Sequence, residues 1–134
     1  MSDTLKHIAL GVIQRTDEVL VIRRHEVEHG LDNETLTWVF PGGVVLDNET
    51  AYESVIREVR EQSGYIIEVT STIDEGTHPT FPSYMSYFAC KLVSDTAIPL
   101  KDEGIAEVKW VPVSDFENII TSSLNNKVKS HLGL

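Results

Sequence analysis

The chain has 134 residues, 21 of them acidic and 11 basic, with a formal net charge of −10 and a pI near 4.8. A surface so acidic repels nucleic-acid polymers and anionic membranes, and it attracts a small phosphate compound only where bound metal or clustered cations reverse the field locally. The length suits a single domain over residues 1–134. The lone Cys90, in the apolar run Tyr87-Phe88-Ala89-Cys90, reads as a small core residue and excludes an internal disulfide framework. With no apolar leader and no run of membrane-spanning length, a cytoplasmic location is expected.

In chain order, residues 7–14 and 19–23 are rich in β-branched side chains and predict two strands, with Arg15-Thr16-Asp17-Glu18 as the turn of a hairpin. Residues 25–35 are polar and acidic, contain Gly30, and predict a loop. A short strand over 37–40 enters Pro41-Gly42-Gly43, and 44–46 reads as another. Residues 65–72 and 83–93 predict strands, the first reaching toward Asp74, with 75–82 as their connection because it holds Gly76, Pro79 and Pro82. A polar loop over 94–104 ends in Lys101-Asp102-Glu103-Gly104, and alternation over 105–111 predicts a late strand. Ser114 and Glu117 have the spacing of a capping box before a helix over 115–120, and 127–132 forms a last short helix. Strands mixed with separated helices indicate an α/β class.

Residues 41–65 organise the rest. A tight Gly42-Gly43 turn leads to a helix whose start is marked by the Thr-x-x-Glu spacing of Thr50 and Glu53. Tyr52, Val55, Ile56 and Val59 fall at i, i+3, i+4 and i+7 and predict one apolar face, and Gly64 supplies the stop. Glu58, Glu61 and Gln62 project together beside that face. Two carboxylates and an amide near free glycine carbonyls form an oxygen-ligand set for a hard divalent cation.

This stretch resembles the Nudix hydrolase box: G, five residues, E, seven residues, then R-E-U-x-E-E-x-G-U, where U is bulky and apolar. Gly43, Glu49, Arg57, Glu58, Val59, Glu61 and Gly64 match in register; Gln62 stands where the second Glu of the pair is usual, and Tyr65 replaces the final aliphatic. The resemblance implies an α/β/α sandwich, a mixed β-sheet with helices on both sides. It implies that Glu58 and Glu61 hold Mg²⁺ or Mn²⁺ on a diphosphate, with a Gly42 or Gly43 carbonyl completing the coordination. Gln62 becomes a neutral ligand that cannot act as a base. Arg57 and Glu49 resemble supporting residues, although Arg57 also has a local explanation as the i+4 partner of Glu53.

Glu103 lies where such enzymes bring a further glutamate from a loop, as ligand or base; its plain alternative is a charged loop residue, and Glu107 is the fallback. Arg23 and Arg24 end the second strand, where a cation could hold substrate phosphate, but alternation sends them to opposite faces and either could be a simple surface arginine. His25-Glu26-Val27-Glu28-His29 matches the H-E-x-x-H zinc-protease pattern, which works only on a long packed helix and is rejected here because it follows a strand and runs into Gly30. Tyr84, Tyr87 and Phe88 read as core rather than as base-stacking residues, and His78 as an exposed loop histidine. The combined expectation is a Mg²⁺- or Mn²⁺-dependent hydrolase with Glu58, Glu61 and Glu103 as catalytic candidates. Its substrate would be a small nucleoside diphosphate derivative, damaged nucleoside triphosphates leading. The alternative is a weak or inactive nucleotide-binding module on the same fold. Family members are often dimers, so a homodimer is expected by analogy.

Overall fold

The β-branched runs of the first third form two long strands, β1 (Lys6–Arg15) and β2 (Glu18–His29), closed by a turn in which Thr16 takes a positive φ of 53°. The computed structural model describes residues 6–29, 35–78, 82–94, 97, 104–120 and 125–134, with the backbone course alone for 24–29 and 35–37. β1 and β2 pair only near the turn, at Gln14↔Val19 and Arg15↔Glu18. They then part and recruit different neighbours. β1 pairs antiparallel with β4 (Gly42–Val44) and parallel with β6 (Ser83–Leu92), whose other edge carries β5 (Ile67–Thr77). β2 pairs antiparallel with both β3 (Thr35–Val39) and β7 (Ile105–Pro112). The result is one mixed seven-stranded sheet.

Period-two alternation gives this sheet two apolar faces. Ala9, Ile13, Leu20, Phe88 and Cys90 lie under Val55 and Val59 of α1 (Ala51–Ser63). Val12, Val19, Val21, Phe40 and Val111 form the second cluster with Phe116, which opens α2 (Phe116–Ile119), Val128 of α3 (Asn126–His131), and Leu132. The expected α/β/α sandwich is therefore present. Burial pushes the Cys90 thiol up to about 12, as befits an inert core residue. Among the described residues no helix is long and apolar enough to cross a membrane.

Several boundaries differ from those the sequence suggests. β2 does not stop at Arg23: its backbone stays extended to His29 because β3 offers a partner, with a register shift between Arg23 and Glu28. That extended backbone is not the long helix on which the H-E-x-x-H pattern works. β4 starts at Gly42 rather than at Val44, because the two glycines themselves pair with Leu10 and Ala9. β5 runs on to Thr77, absorbing register shifts after Val69 and after Thr72. The Ser114 capping box does not form: Val113–Asp115 is a 3₁₀ turn and α2 is a single turn held by the buried Phe116. α3 begins one residue earlier than expected, where the Asn125 side chain accepts from the backbone of Lys127 and Val128. Phe88 is core and Tyr87 is half-buried against the second cluster; His78, directly after β5, is half-buried rather than exposed.

α1 is the element that places the site. Thr50 and Glu53 make the predicted capping box, and Gly64 ends the helix at φ 80° with its N–H on the Arg60 carbonyl. Its buried side consists of Ser54, Val55, Val59 and Gln62, while Tyr52 and Ile56 remain 51% and 36% exposed. The apolar face is thus rotated from the predicted one. Gly11 makes this close seat possible, because a Cβ there would sit 3.1 Å from Val55 and from Ile13.

Candidate active site on the first long helix

The rotation of α1 turns Gln62 inward and leaves Glu58 at the margin between helix and sheet. Glu58 stands against β4 so closely that a Cβ on Gly43 would meet its Oε2 at 2.8 Å. One turn further on, Glu61 is open to solvent, its side chain 52% exposed. Arg57 joins these acids. Its Nε and Nη2 donate to Glu49 Oε2 and Oε1 at 3.0 and 2.8 Å, a bidentate pair, while Nη1 donates to Glu58 Oε1 at 2.7 Å and to Glu61 Oε2 at 3.0 Å. Glu53 is occupied with the capping box, so the expected local Glu53–Arg57 explanation does not apply.

Glu49 is fixed from both sides, since its Oε1 also accepts from the Leu46 N–H at 3.0 Å. The Arg57 hydrogen bonds, first, and the Leu46 N–H hold its carboxyl down at about 2, and the same pairing raises the Arg57 guanidinium above its ordinary value. The arginine gathers three acids around one guanidinium, and Glu49 ties that arginine to the loop before the helix.

Gln62 completes the group on the buried side, 7% exposed. Its Oε1 accepts from the Gly42 N–H at 3.0 Å, and its Nε2 donates to the Gly42 carbonyl at 3.0 Å and to Glu58 Oε2 at 2.9 Å. The Gly42 carbonyl is therefore engaged. The two contacts to Gly42 were invisible in the sequence, since 20 residues separate the partners. Tyr65, the second departure from the box, also finds a partner: its hydroxyl accepts from Trp110 Nε1 at 2.9 Å, with the rings edge to face.

The structure brings Glu58 and Glu61 together through Arg57 and sets Glu58 beside Gly43. Among the described residues no group of three or more Asp, Glu, His or Cys is poised to hold a metal. Glu103, the first candidate for that role, lies outside the described residues. Arg23 is not part of the network: its Nη2 pairs with Glu107 Oε1 across β2 and β7 at 3.3 Å, and its guanidinium lies 5.8 Å from the Trp38 ring centroid. Glu107, the fallback acid, is thereby committed to Arg23. Arg24 follows on β2, where its backbone pairs with Ile105. Beside the network, a shallow open depression of about 500 Å³ is lined by Glu53, Ile56, Arg57, Arg60 and Glu61.

A sequence model of the NUDIX domain matches residues 5–130. Nudix hydrolase 6 of Arabidopsis thaliana is 32% identical over 111 residues, which is 78% of this chain but only 38% of that protein's length. The uncharacterized Nudix hydrolase YvcI of Bacillus subtilis is 30% identical over 122 residues, 86% of this chain and 71% of that protein. An 8-oxo-dGTP diphosphatase of Proteus vulgaris is 33% identical over 75 residues, 54% of this chain and 62% of that one. Among solved structures, a NUDIX hydrolase from Nitrosomonas europaea aligns with TM-score 0.80 at 18% identity, over 99% of this chain and 73% of that one. An ADP-ribose pyrophosphatase from Streptococcus suis aligns with TM-score 0.70 at 19% identity, over 96% and 89%. The two structural likenesses speak to the fold alone. The domain match spans the strands, the box helix and its carboxylate network together, and by it this chain belongs to the NUDIX domain family.

Proposed function

We propose that the protein is a Mg²⁺- or Mn²⁺-dependent pyrophosphohydrolase that cleaves the diphosphate linkage of a small nucleoside diphosphate derivative. The observation that carries this reading is the Arg57-centred network, which gathers Glu58 and Glu61 on one guanidinium with Glu58 beside the Gly43 backbone. Glu58, Glu61 and the Gly43 carbonyl are the residues that would hold the ion. When bound, such an ion neutralises phosphate oxygens and orients a water for in-line attack on phosphorus. Arg57 holds both acids in place. The proton of the attacking water passes to a carboxylate oxygen, either of a box glutamate or of Glu103, and the P–O bond of the leaving phosphate breaks. Arg23, or Arg24 beside it, is the proposed cation for substrate phosphate, and for Arg23 that means exchanging Glu107 for the ligand.

Nucleoside triphosphates with damaged bases lead as substrates, since a relative is named for 8-oxo-dGTP; ADP-ribose follows for the same kind of reason, and nucleotide sugars and dinucleoside polyphosphates complete the set. The reading includes one domain over residues 1–134, a cytoplasmic setting and a homodimer. A second reading is favoured by Gln62, whose neutral amide leaves the box one charge short: a module that binds nucleotides and turns them over weakly or not at all. A panel of damaged and normal dNTPs, ADP-ribose, nucleotide sugars and diadenosine polyphosphates, with Mg²⁺ and with Mn²⁺, separates the two. Release of phosphate or pyrophosphate-cleavage products from one class supports the hydrolase. If all compounds stay intact while one raises the melting temperature, the binding module stands instead.

A further inference from the structure

Gln62 departs from the family pattern, and both polar atoms of its side chain are engaged. A primary amide carries a donor and an acceptor side by side, as a peptide does. Here it meets both backbone polar atoms of one residue, accepting from the Gly42 N–H at 3.0 Å and donating to the Gly42 carbonyl at 3.0 Å. β4 pairs with β1 on one side, and the Gln62 amide lies along it from the helix as a neighbouring strand would. The second hydrogen of Nε2 goes to Glu58 Oε2 at 2.9 Å.

The orientation of the amide follows from these partners. An N–H demands an acceptor, while a carbonyl and a carboxylate demand donors. Rotating the amide by half a turn would set its oxygen against two oxygens. The oxygen therefore points at the Gly42 N–H. That oxygen is turned toward the β4 backbone, on a side chain only 7% exposed, and away from the open side where Glu61 meets solvent. A glutamate at this position could accept from the same N–H but would face the Gly42 carbonyl and Glu58 with no hydrogen to offer either.

We infer that Gln62 is a positioning residue outside the cation shell: its amide fastens the Gly42 peptide to α1 and so sets Glu58 against Gly43. This deepens the proposed function and rests on it only for the identity of the ligands, Glu58, Glu61 and the Gly43 carbonyl. Gly42 itself explains the need for a fastener. It sits at φ 145°, and a Cβ there would fall 2.1 Å from the Ala9 carbonyl, so the peptide occupies a conformation that only glycine accepts and that its neighbours must hold.

The test uses hydrogen exchange at the Gly42 amide by NMR, in EDTA and with saturating Mg²⁺, for the wild type and Gln62→Met, with melting curves in EDTA for both and for Gln62→Glu. The wild-type amide is protected in both conditions, its protection drops by about tenfold or more in Gln62→Met, and Gln62→Glu melts roughly 3–5 °C below wild type without metal. Loss of wild-type protection on adding Mg²⁺ means the oxygen has moved to the ion and overturns the inference. Full protection in Gln62→Met, or a Gln62→Glu variant that melts at or above wild type in EDTA, also overturns it. Should Gln62→Met fail to fold, the wild-type exchange and the Gln62→Glu melting still decide. The side-chain carboxyl resonances of Glu58 and Glu61 report Mg²⁺ binding separately. If they do not move, the proposed cation site fails while the metal-free arms still read the fastener.

Discussion

Arg57 serves three carboxylates at once, and only a planar guanidinium has the donors to do so: Nε and Nη2 lie along Glu49 while Nη1 reaches Glu58 and Glu61. Three acids this close would otherwise repel one another, and one would tend to take up a proton. Glu49 is the anchor of the arrangement, with a side chain only 11% exposed. Its folded carboxyl titrates at about 2 against an ordinary 4.5, so its charged form stabilises the fold fully above about 4.5, and that contribution fades as pH falls toward 2. Glu49→Gln should therefore cost roughly 1–2 kcal/mol near neutral pH, measured by urea unfolding, with the gap to wild type closing as pH drops below 4.5. A gap that stays constant from neutral pH to about 3 would show that the charge of Glu49 contributes nothing.

At the scale of elements, the site exists because a three-residue strand, β4, and one helix face are held at a fixed spacing. The two glycines of β4 look interchangeable in sequence but differ sharply in what surrounds them. A methyl on Gly42 meets the Ala9 carbonyl at 2.1 Å, backbone that cannot yield, at a φ of 145° besides. A methyl on Gly43 meets Glu58 Oε2 at 2.8 Å, the far end of a side chain that can swing away. Gly42→Ala is expected to lose the fold or about 3 kcal/mol of it. Gly43→Ala should keep its melting temperature within a few degrees and lose about tenfold or more in turnover, because Glu58 is the atom group displaced. Equal effects on melting from both substitutions would count against this division of labour.

The same comparison shows what the sequence could carry. The Thr50–Glu53 cap and the Gly64 stop were legible because every contact lies within a few residues, and both formed as expected. The grip of Gln62 on Gly42 and the Tyr65–Trp110 bond were not, because they join positions 20 and 45 residues apart whose meeting depends on the whole sheet. Tyr52, edge to face with Phe88, and Ile56 kept helical spacing yet sit at the margin of the buried face, since spacing identifies a stripe but not its angular centre; Gly11, by admitting Val55, set that centre. The ends of β2 and β5 were missed for a related reason. Strand length is decided by the partner, and β3 and β6 extend theirs well past the apolar runs.

For the whole molecule, the mix of strands and separated helices that indicates an α/β class was readable, and so was the charge, whose consequence is kinetic. With a net charge of −10, the protein repels an anionic nucleotide at distances beyond the reach of any single arginine. The described cations are largely spent internally: Arg57 on three acids, Arg23 on Glu107, Arg15 on Glu18, Lys91 on Glu68. Long-range repulsion should then dominate the approach of substrate, and salt should relieve it. With free Mg²⁺ held saturating, kcat/KM for a nucleotide substrate is expected to rise by about twofold or more as monovalent salt increases from roughly 10 to 150 mM, over which the screening length shrinks from about 30 to 8 Å. The effect belongs in kcat/KM, with kcat nearly flat, because the field acts on encounter and not on the bound complex. A fall in kcat/KM over that range would mean that a local basic cluster, with Arg23 and Arg24 the first to substitute, governs capture in spite of the net charge.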